Sequence, residues 1–145
     1  MTALSRRTHD HAPAAHPEPT DAERAAYIRQ AKAYLPQRVA YFSEQMGLYP
    51  TQVRITGART RFGSCSSQGH ICFSWRLMQY PPEAIDYVVV HELAHLRGVA
   101  SEQECNFIAI LAATRSDDPA YRYSGWLLGY IYLANALYRY ACLLY

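Results

Sequence analysis

The 145-residue sequence predicts an α+β domain, in which a small antiparallel sheet packs on a helix and further helices follow. Within a predicted strand over 48–56, Val53 and Ile55 alternate with polar residues, as expected of a half-buried strand, and residues 71–75 form a second predicted strand. Apolar residues from Ile85 to Leu96 instead recur at three- and four-residue spacing, which is typical of a helix. Strands followed by a run of helices are characteristic of the α+β class.

The length and composition predict one domain over residues 20–145. Hydrophobic residues make up 50% of the chain and charged residues 18%, as in a globular protein. The net charge of +2 is too small to indicate a nucleic acid or an anionic membrane as partner. The chain shows neither a secretory signal pattern nor a C-x-x-C pair, so we expect a cytoplasmic protein with reduced thiols.

The N-terminal region is predicted to contain a tail and a helix. Residues 1–19 lack apolar periodicity and are rich in Ala, Pro and His, which predicts a disordered tail. Thr20 and Glu23 have the spacing of a capping box, which opens a helix. Pro36 is expected to break or kink this helix, and a second helical stretch is expected to end at Gly47.

The next segment is predicted to form the sheet. A strand over 48–56 is followed by a turn at Gly57, an extended stretch to Gly63, a turn-rich segment over 64–69 and a strand over 71–75. An edge strand at this place, just before the next helix, is compatible with binding an extended peptide by strand addition.

The next helix carries an H-E-x-x-H motif, formed by His91, Glu92 and His95. Side chains four residues apart lie on the same helix face, so the two histidines can bind one metal ion, for which zinc is the usual occupant. Glu92 lies about 100° around the helix from His91 and can act as general base toward water. Pro81 and Pro82 fit the start of this helix.

A catalytic zinc site needs a third protein ligand and leaves one position for water. Glu102 and Glu104 are the candidates after the motif. Ser101 and Glu104 match a capping box, which gives Glu104 a structural role and favours Glu102 as the third ligand, with Glu104 as the alternative. Asn106, one helical turn further, is expected to orient Glu102. His70, in a turn, is a weaker candidate.

The C-terminal region is predicted to be helical. Asp117 and Asp118 are expected to cap a helix. Residues 126–145 form an apolar segment that approaches the ~20 residues needed to span a bilayer. We interpret it as a core helix, with membrane association as the alternative. Near its start, residues 121–123 contain two tyrosines and an arginine, which we expect to pack, with a hydrogen bond to an oxyanion as the alternative.

Residues 34–96 resemble the YgjP-like metallopeptidases, which are relatives of the SprT and WLM proteases. The matching segments are LPQRV at 35–39, TRFGSCSS at 60–67, WRL at 75–77 and DYVVVHELAH at 86–95. The resemblance implies a minimal zincin-like fold and peptidase chemistry on zinc. The chain departs from the family pattern at Phe62, where tryptophan is usual, and at Ser101, where the pattern supplies a third histidine.

Residues 91–139 resemble the C-terminal part of a bacterial membrane-protein family of uncharacterised zincins. The similarity covers HELAHLRGVASEQECNF at 91–107, SDDP at 116–119 and RYSG at 122–125. The same piece is similar to the E-x-x-A-D ligand motif of gluzincins, with Glu102 in the place of the ligand. The chain therefore resembles a hybrid with a YgjP-like first part and a gluzincin-like second part.

Together these observations predict a zinc metallopeptidase that acts on a peptide or protein. His91, His95 and Glu102 are the expected zinc ligands, and Glu92 is the expected general base. One alternative is a zinc-binding scaffold with weak or no catalysis, because the two parts of a hybrid need not be matched. The other is a protein associated with a membrane through residues 126–145.

Overall fold

The computed structural model describes residues 18–143, and the predicted tail lies outside them except for its last two residues. The α+β prediction is confirmed, because four helices accompany one three-stranded sheet in the described residues. The elements are α1 (Asp21–Met46), β1 (Gln52–Thr56), β2 (Gly63–Cys65), β3 (His70–Ser74), α2 (Pro82–Leu96), α3 (Glu102–Thr114) and α4 (Pro119–Leu143). A short 3-10 helix, Trp75–Gln79, joins β3 to α2.

Helix α1 begins as predicted but does not divide at Pro36. The Thr20 side chain accepts a hydrogen bond from the Glu23 backbone, and the Thr20 backbone N–H donates to the Glu23 carboxylate over 2.8 Å. The prediction of two helical stretches is wrong, since one helix continues through Pro36 to Met46. Pro36 is exposed while Leu35 and Val39 are buried, so packing of the helix on the core offsets the hydrogen bond that proline cannot make.

The sheet is mixed, with the strand order β1-β3-β2, so the expectation of a wholly antiparallel sheet is wrong. Strand β2 is antiparallel to β3, whereas β1 is parallel to β3. The loop over residues 57–62 crosses the end of β3, so β2 pairs with β3 on the side opposite to β1. Ser74 fastens that loop, because its hydroxyl donates to the Ala58 carbonyl over 2.7 Å and its N–H donates to the Phe62 carbonyl over 2.8 Å.

The core lies between the sheet, α1 and α2. Its fully buried side chains include Leu35 from α1, Ile71 and Phe73 from β3, and Val89, Val90 and Leu93 from α2. Outside this apolar cluster, Arg38 of α1 donates two hydrogen bonds of 2.7 Å to the carboxylate of Asp86 in α2. Helix α2 is therefore held on two sides, which gives the H-E-x-x-H motif a rigid base.

Small residues allow α3 and α4 to pack closely. Ala109 and Ala113 of α3 are fully buried, and α3 contacts both α2 and α4. Gly125 lies where α4 meets α3, because a Cβ added there would lie 2.6 Å from the Ala113 Cβ atom. Asp118 caps α4, as predicted, by accepting a hydrogen bond from the Ala120 N–H over 2.8 Å. Within residues 18–143, no helix is both long and apolar enough to cross a membrane.

Candidate metal centre

Helix α2 and the turn that follows it place three side chains together. His91 and His95 lie one helical turn apart, and their Nε2 atoms are 3.2 Å from each other. The chain leaves α2 through Gly98, whose φ of 93° is in the left-handed region that favours glycine. Ser101 then caps α3 by accepting a hydrogen bond from the Glu104 N–H, so Glu102 is the first residue of the new helix.

Glu102 approaches both histidines. One carboxylate oxygen lies 3.0 Å from His91 Nε2 and the other lies 3.1 Å from His95 Nε2. A tetrahedron with metal–ligand bonds of about 2.0 Å has edges of about 3.3 Å, so these separations are close to those of three ligands around one zinc ion. Among the described residues, neither Glu104 nor His70 belongs to this cluster. The donor set and its spacing therefore fit zinc.

The orientation of His95 also fits a metal ligand. Its Nδ1 lies 2.8 Å from the Val99 carbonyl, which can only accept a hydrogen bond. The proton therefore resides on Nδ1, and the Nε2 lone pair is left to bind a cation. Val99 belongs to the same turn that delivers Glu102, so one short segment both orients His95 and supplies the third donor. The buried Cys105 thiol lies 3.3 Å from the same Nδ1 atom.

Glu92 is buried against strand β2, with 6% of its surface exposed. The contact requires glycine at position 63, because a Cβ there would lie 2.6 Å from Glu92 Cγ and 2.7 Å from Cδ. Burial raises the pKa of Glu92 to about 7; His95 opposes this rise, Glu102 adds to it and Arg61 opposes it. Among residues 18–143, the Oε2 atom of Glu92 has no hydrogen-bond partner. The carboxylate is therefore suited to accept a proton near neutral pH.

A cleft of about 420 Å³ connects these groups. Strand β2 and the preceding residues Arg61 and Phe62 line one side of it, and the other side is lined by Val88, His91, Glu92, His95 and Glu102. Among the described strands, β2 pairs only with β3, so its other edge has no strand partner. Arg61 is exposed at the cleft and forms no salt bridge with a described residue.

Neither Asn106 nor Tyr121, two candidates for supporting roles, lines the cleft. The Asn106 side chain accepts a hydrogen bond from the Tyr87 hydroxyl over 2.7 Å and donates to the Tyr132 hydroxyl over 2.9 Å. The expectation that it orients Glu102 is therefore wrong. Asn106 instead joins α2, α3 and α4. Tyr121 is 2% exposed and packs in the core, so it offers no hydrogen bond to the cleft.

The other two candidates, Arg122 and Tyr123, are also absent from the cleft lining. Arg122 donates to the Ser116 carbonyl over 2.9 Å, and Tyr123 is largely exposed.

The sequence analysis did not identify Gly63, which the structure places against Glu92. A signal was available, since a glycine within a strand often marks the close approach of another group.

Comparison with known families matches two overlapping parts of the chain. The model of the YgjP-like metallopeptidase domain matches residues 4–100. A second model, described as a protein of unknown function (DUF3810), matches residues 78–144. Both matches include the whole H-E-x-x-H motif on α2, which confirms the hybrid organisation. No curated protein and no solved structure matches the chain. Because the first match covers more than half of the sequence, the chain belongs to the YgjP-like metallopeptidase family.

Proposed function

We propose that this protein is a zinc-dependent metallopeptidase, with His91, His95 and Glu102 as zinc ligands and Glu92 as general base. The observation that carries the proposal is the convergence of three donor atoms beside a buried, unpartnered carboxylate. Membership of a metallopeptidase family supports the same reaction class. The cleft beside these groups gives a polypeptide substrate access to them.

The residues of the site have distinct roles in hydrolysis. Zinc, when bound, supplies a Lewis acid that polarises the substrate carbonyl and makes water more acidic. Glu92 accepts the proton of the attacking water and later donates it to the leaving nitrogen. The free edge of β2 can hold an extended substrate through backbone hydrogen bonds, as in strand addition. The turn at Val99 keeps His95 in the tautomer that binds zinc.

The role of Glu92 is tested by Glu92→Gln, which keeps the shape of the side chain and removes its basicity. We expect bound zinc to remain at one ion per chain while cleavage of an unfolded protein substrate falls about 10²–10⁴-fold. Glu83→Gln is the matched control, because it makes the same chemical change in the first turn of the same helix. If Glu92→Gln cleaves substrate as fast as the parent, Glu92 is not the base.

The third ligand is tested by Glu102→Ala against Glu104→Ala, since both residues lie in the first turn of α3. We expect Glu102→Ala to lose zinc during dialysis and Glu104→Ala to retain it. Zinc content measured by elemental analysis reports this directly and needs no substrate. Zinc retained by Glu102→Ala and lost by Glu104→Ala would reverse the assignment.

A second candidate function is a zinc-binding scaffold without turnover. The two family matches favour it. Strand β2 lies in the part that matches the YgjP-like model alone, whereas Glu102 lies in the part that matches the DUF3810 model alone. One zinc per chain, with no cleavage of unfolded substrates by the parent, would support the scaffold. Zinc-dependent cleavage that Glu92→Gln abolishes would exclude it.

A further inference from the structure

Helix α4 carries an apolar stripe on its surface that nothing in the described chain covers. The residues of the stripe follow one another at alternating spacings of three and four. They are Tyr123, Trp126, Tyr130, Leu133, Leu137 and Tyr140, and their exposed fractions are 68%, 67%, 70%, 67%, 71% and 72%. We call this set the α4 stripe. Its repeat is that of a seam between two paired helices.

The stripe is separate from the face by which α4 packs on α3. That packed face contains Gly125 and Gly129, where added Cβ atoms would lie 2.6 Å from Ala113 and 3.4 Å from Ile110. Single exposed apolar residues are common on protein surfaces. Six large ones in a continuous row are a different case, because apolar patches of this kind mark sites of interaction.

The size of the stripe matches that of an interface. An aromatic side chain covers about 150–250 Å² when fully buried, and four aromatic residues of the stripe are about two-thirds exposed. With the two leucines, the stripe offers on the order of 800 Å² per copy, which is the usual contribution of one partner to a stable interface. Covering the stripe would therefore bury an area typical of a stable interface.

The α4 stripe carries no charge, so it can meet a second stripe without repulsion between like charges. Within the helix, Arg122 and Arg139 are the charged residues, and neither lies on the stripe. An antiparallel pair also aligns opposite helix dipoles, which a parallel pair does not.

We propose that the α4 stripe binds the α4 stripe of a second copy in an antiparallel, two-fold arrangement. The centre of the pair lies between Tyr130 and Leu133, so Tyr130 of each copy opposes Leu133 of the other. Leu137 then opposes Trp126, so large apolar side chains meet at each level of the interface. A membrane surface fits less well, because interfacial helices have a polar face rich in lysine and arginine, which α4 lacks.

The test measures the mass of the full chain in solution by sedimentation equilibrium. We expect a dimer for the parent, and a rise in its dissociation constant of about 100-fold or more for Leu133→Asp. Phe107→Asp is the matched control, because it changes a residue of α3 that is 64% exposed and lies outside the stripe; it should remain dimeric. Circular dichroism and zinc content check that each variant is folded.

A mixing experiment tests the antiparallel register. Leu133→Asp and Tyr130→Lys should each be monomeric, yet a mixture should form a dimer with one copy of each, because the introduced carboxylate of one copy then opposes the introduced ammonium group of the other. A monomeric parent at micromolar concentration, or a dimer that persists in Leu133→Asp, overturns the proposal. The proposal is also overturned if the parent binds phosphatidylcholine vesicles through the stripe in place of dimerising. A mixture that stays monomeric overturns the antiparallel register.

Discussion

The contact between Gly63 and Glu92 leads to a sharp prediction, because strand β2 has no room for a side chain at this position. In Gly63→Ala, the new Cβ would lie 2.6 Å from Glu92 Cγ and 2.7 Å from Cδ. Carbon atoms in favourable contact are about 3.5–4.0 Å apart, so one group must move by about 1 Å. The Glu92 side chain is the more mobile of the two, and we expect it to leave its place beside the histidines.

The size of the effect follows from this displacement. Overpacking of this kind lowers the free energy of unfolding by about 1–3 kcal/mol. Displacement of a catalytic group by about 1 Å lowers activity about 100-fold. Zinc content should stay at one ion per chain, because Gly63 is not placed against the three ligands.

The assay combines urea denaturation, zinc content and cleavage of an unfolded protein substrate. Gly57→Ala is the matched control, since its Cβ would lie 3.5 Å from Trp75 Nε1, at ordinary contact distance. A double-mutant cycle isolates the contact: Gly63→Ala should destabilise the parent but have little effect on the Glu92→Ala protein, which lacks the crowded atoms. This cycle reports on stability and does not depend on activity.

Equal destabilisation by Gly63→Ala in the parent and in the Glu92→Ala protein would refute the reasoning. Full activity in Gly63→Ala, with zinc bound, would refute it as well, since Glu92 would then tolerate a side chain at position 63.

Three further predictions concern stability. Asp86→Ala leaves the Arg38 guanidinium without its carboxylate, so the free energy of unfolding in urea should fall by about 2 kcal/mol, and an unchanged value would show that the ion pair contributes nothing. Pro36→Ala restores a backbone hydrogen bond inside α1 and should raise the same quantity by about 1 kcal/mol; a decrease would contradict this. Gly125→Val places its Cβ against Ala113 and should lower the thermal midpoint by separating α4 from α3, whereas an unchanged midpoint would mean that the helices are not in close contact.

Several features of the fold and the candidate site could be read from the sequence because they depend on neighbouring residues. The capping box at Thr20 closes over three residues, and the start of α1 follows from it. The pairing of His91 with His95 depends on the helical repeat alone. The same holds for the cap that Asp118 provides to α4.

Other features depended on how the elements pack. The end of β3 is crossed by the loop before β2, so the strand order and the parallel β1–β3 pair could not be read from alternation of residue types. The buried neighbours of Pro36 kept α1 continuous against its local preference. Asn106 forms its hydrogen bonds with Tyr87 of α2 and Tyr132 of α4, which are 19 and 26 residues away in the sequence, so local patterns do not predict them.

The sequence by itself determined the chemistry of the motif on α2, since the spacing of two histidines on one helix fixes their common face. The local cap at Ser101 favoured Glu102 over Glu104, but only tertiary structure decided that Glu102 reaches both histidines and that Glu92 rests on Gly63. Both outcomes depend on the angle at which separate elements meet. That angle is set by the turn after α2 and by the buried surfaces of helix and sheet, whereas local spacing carries no information about it.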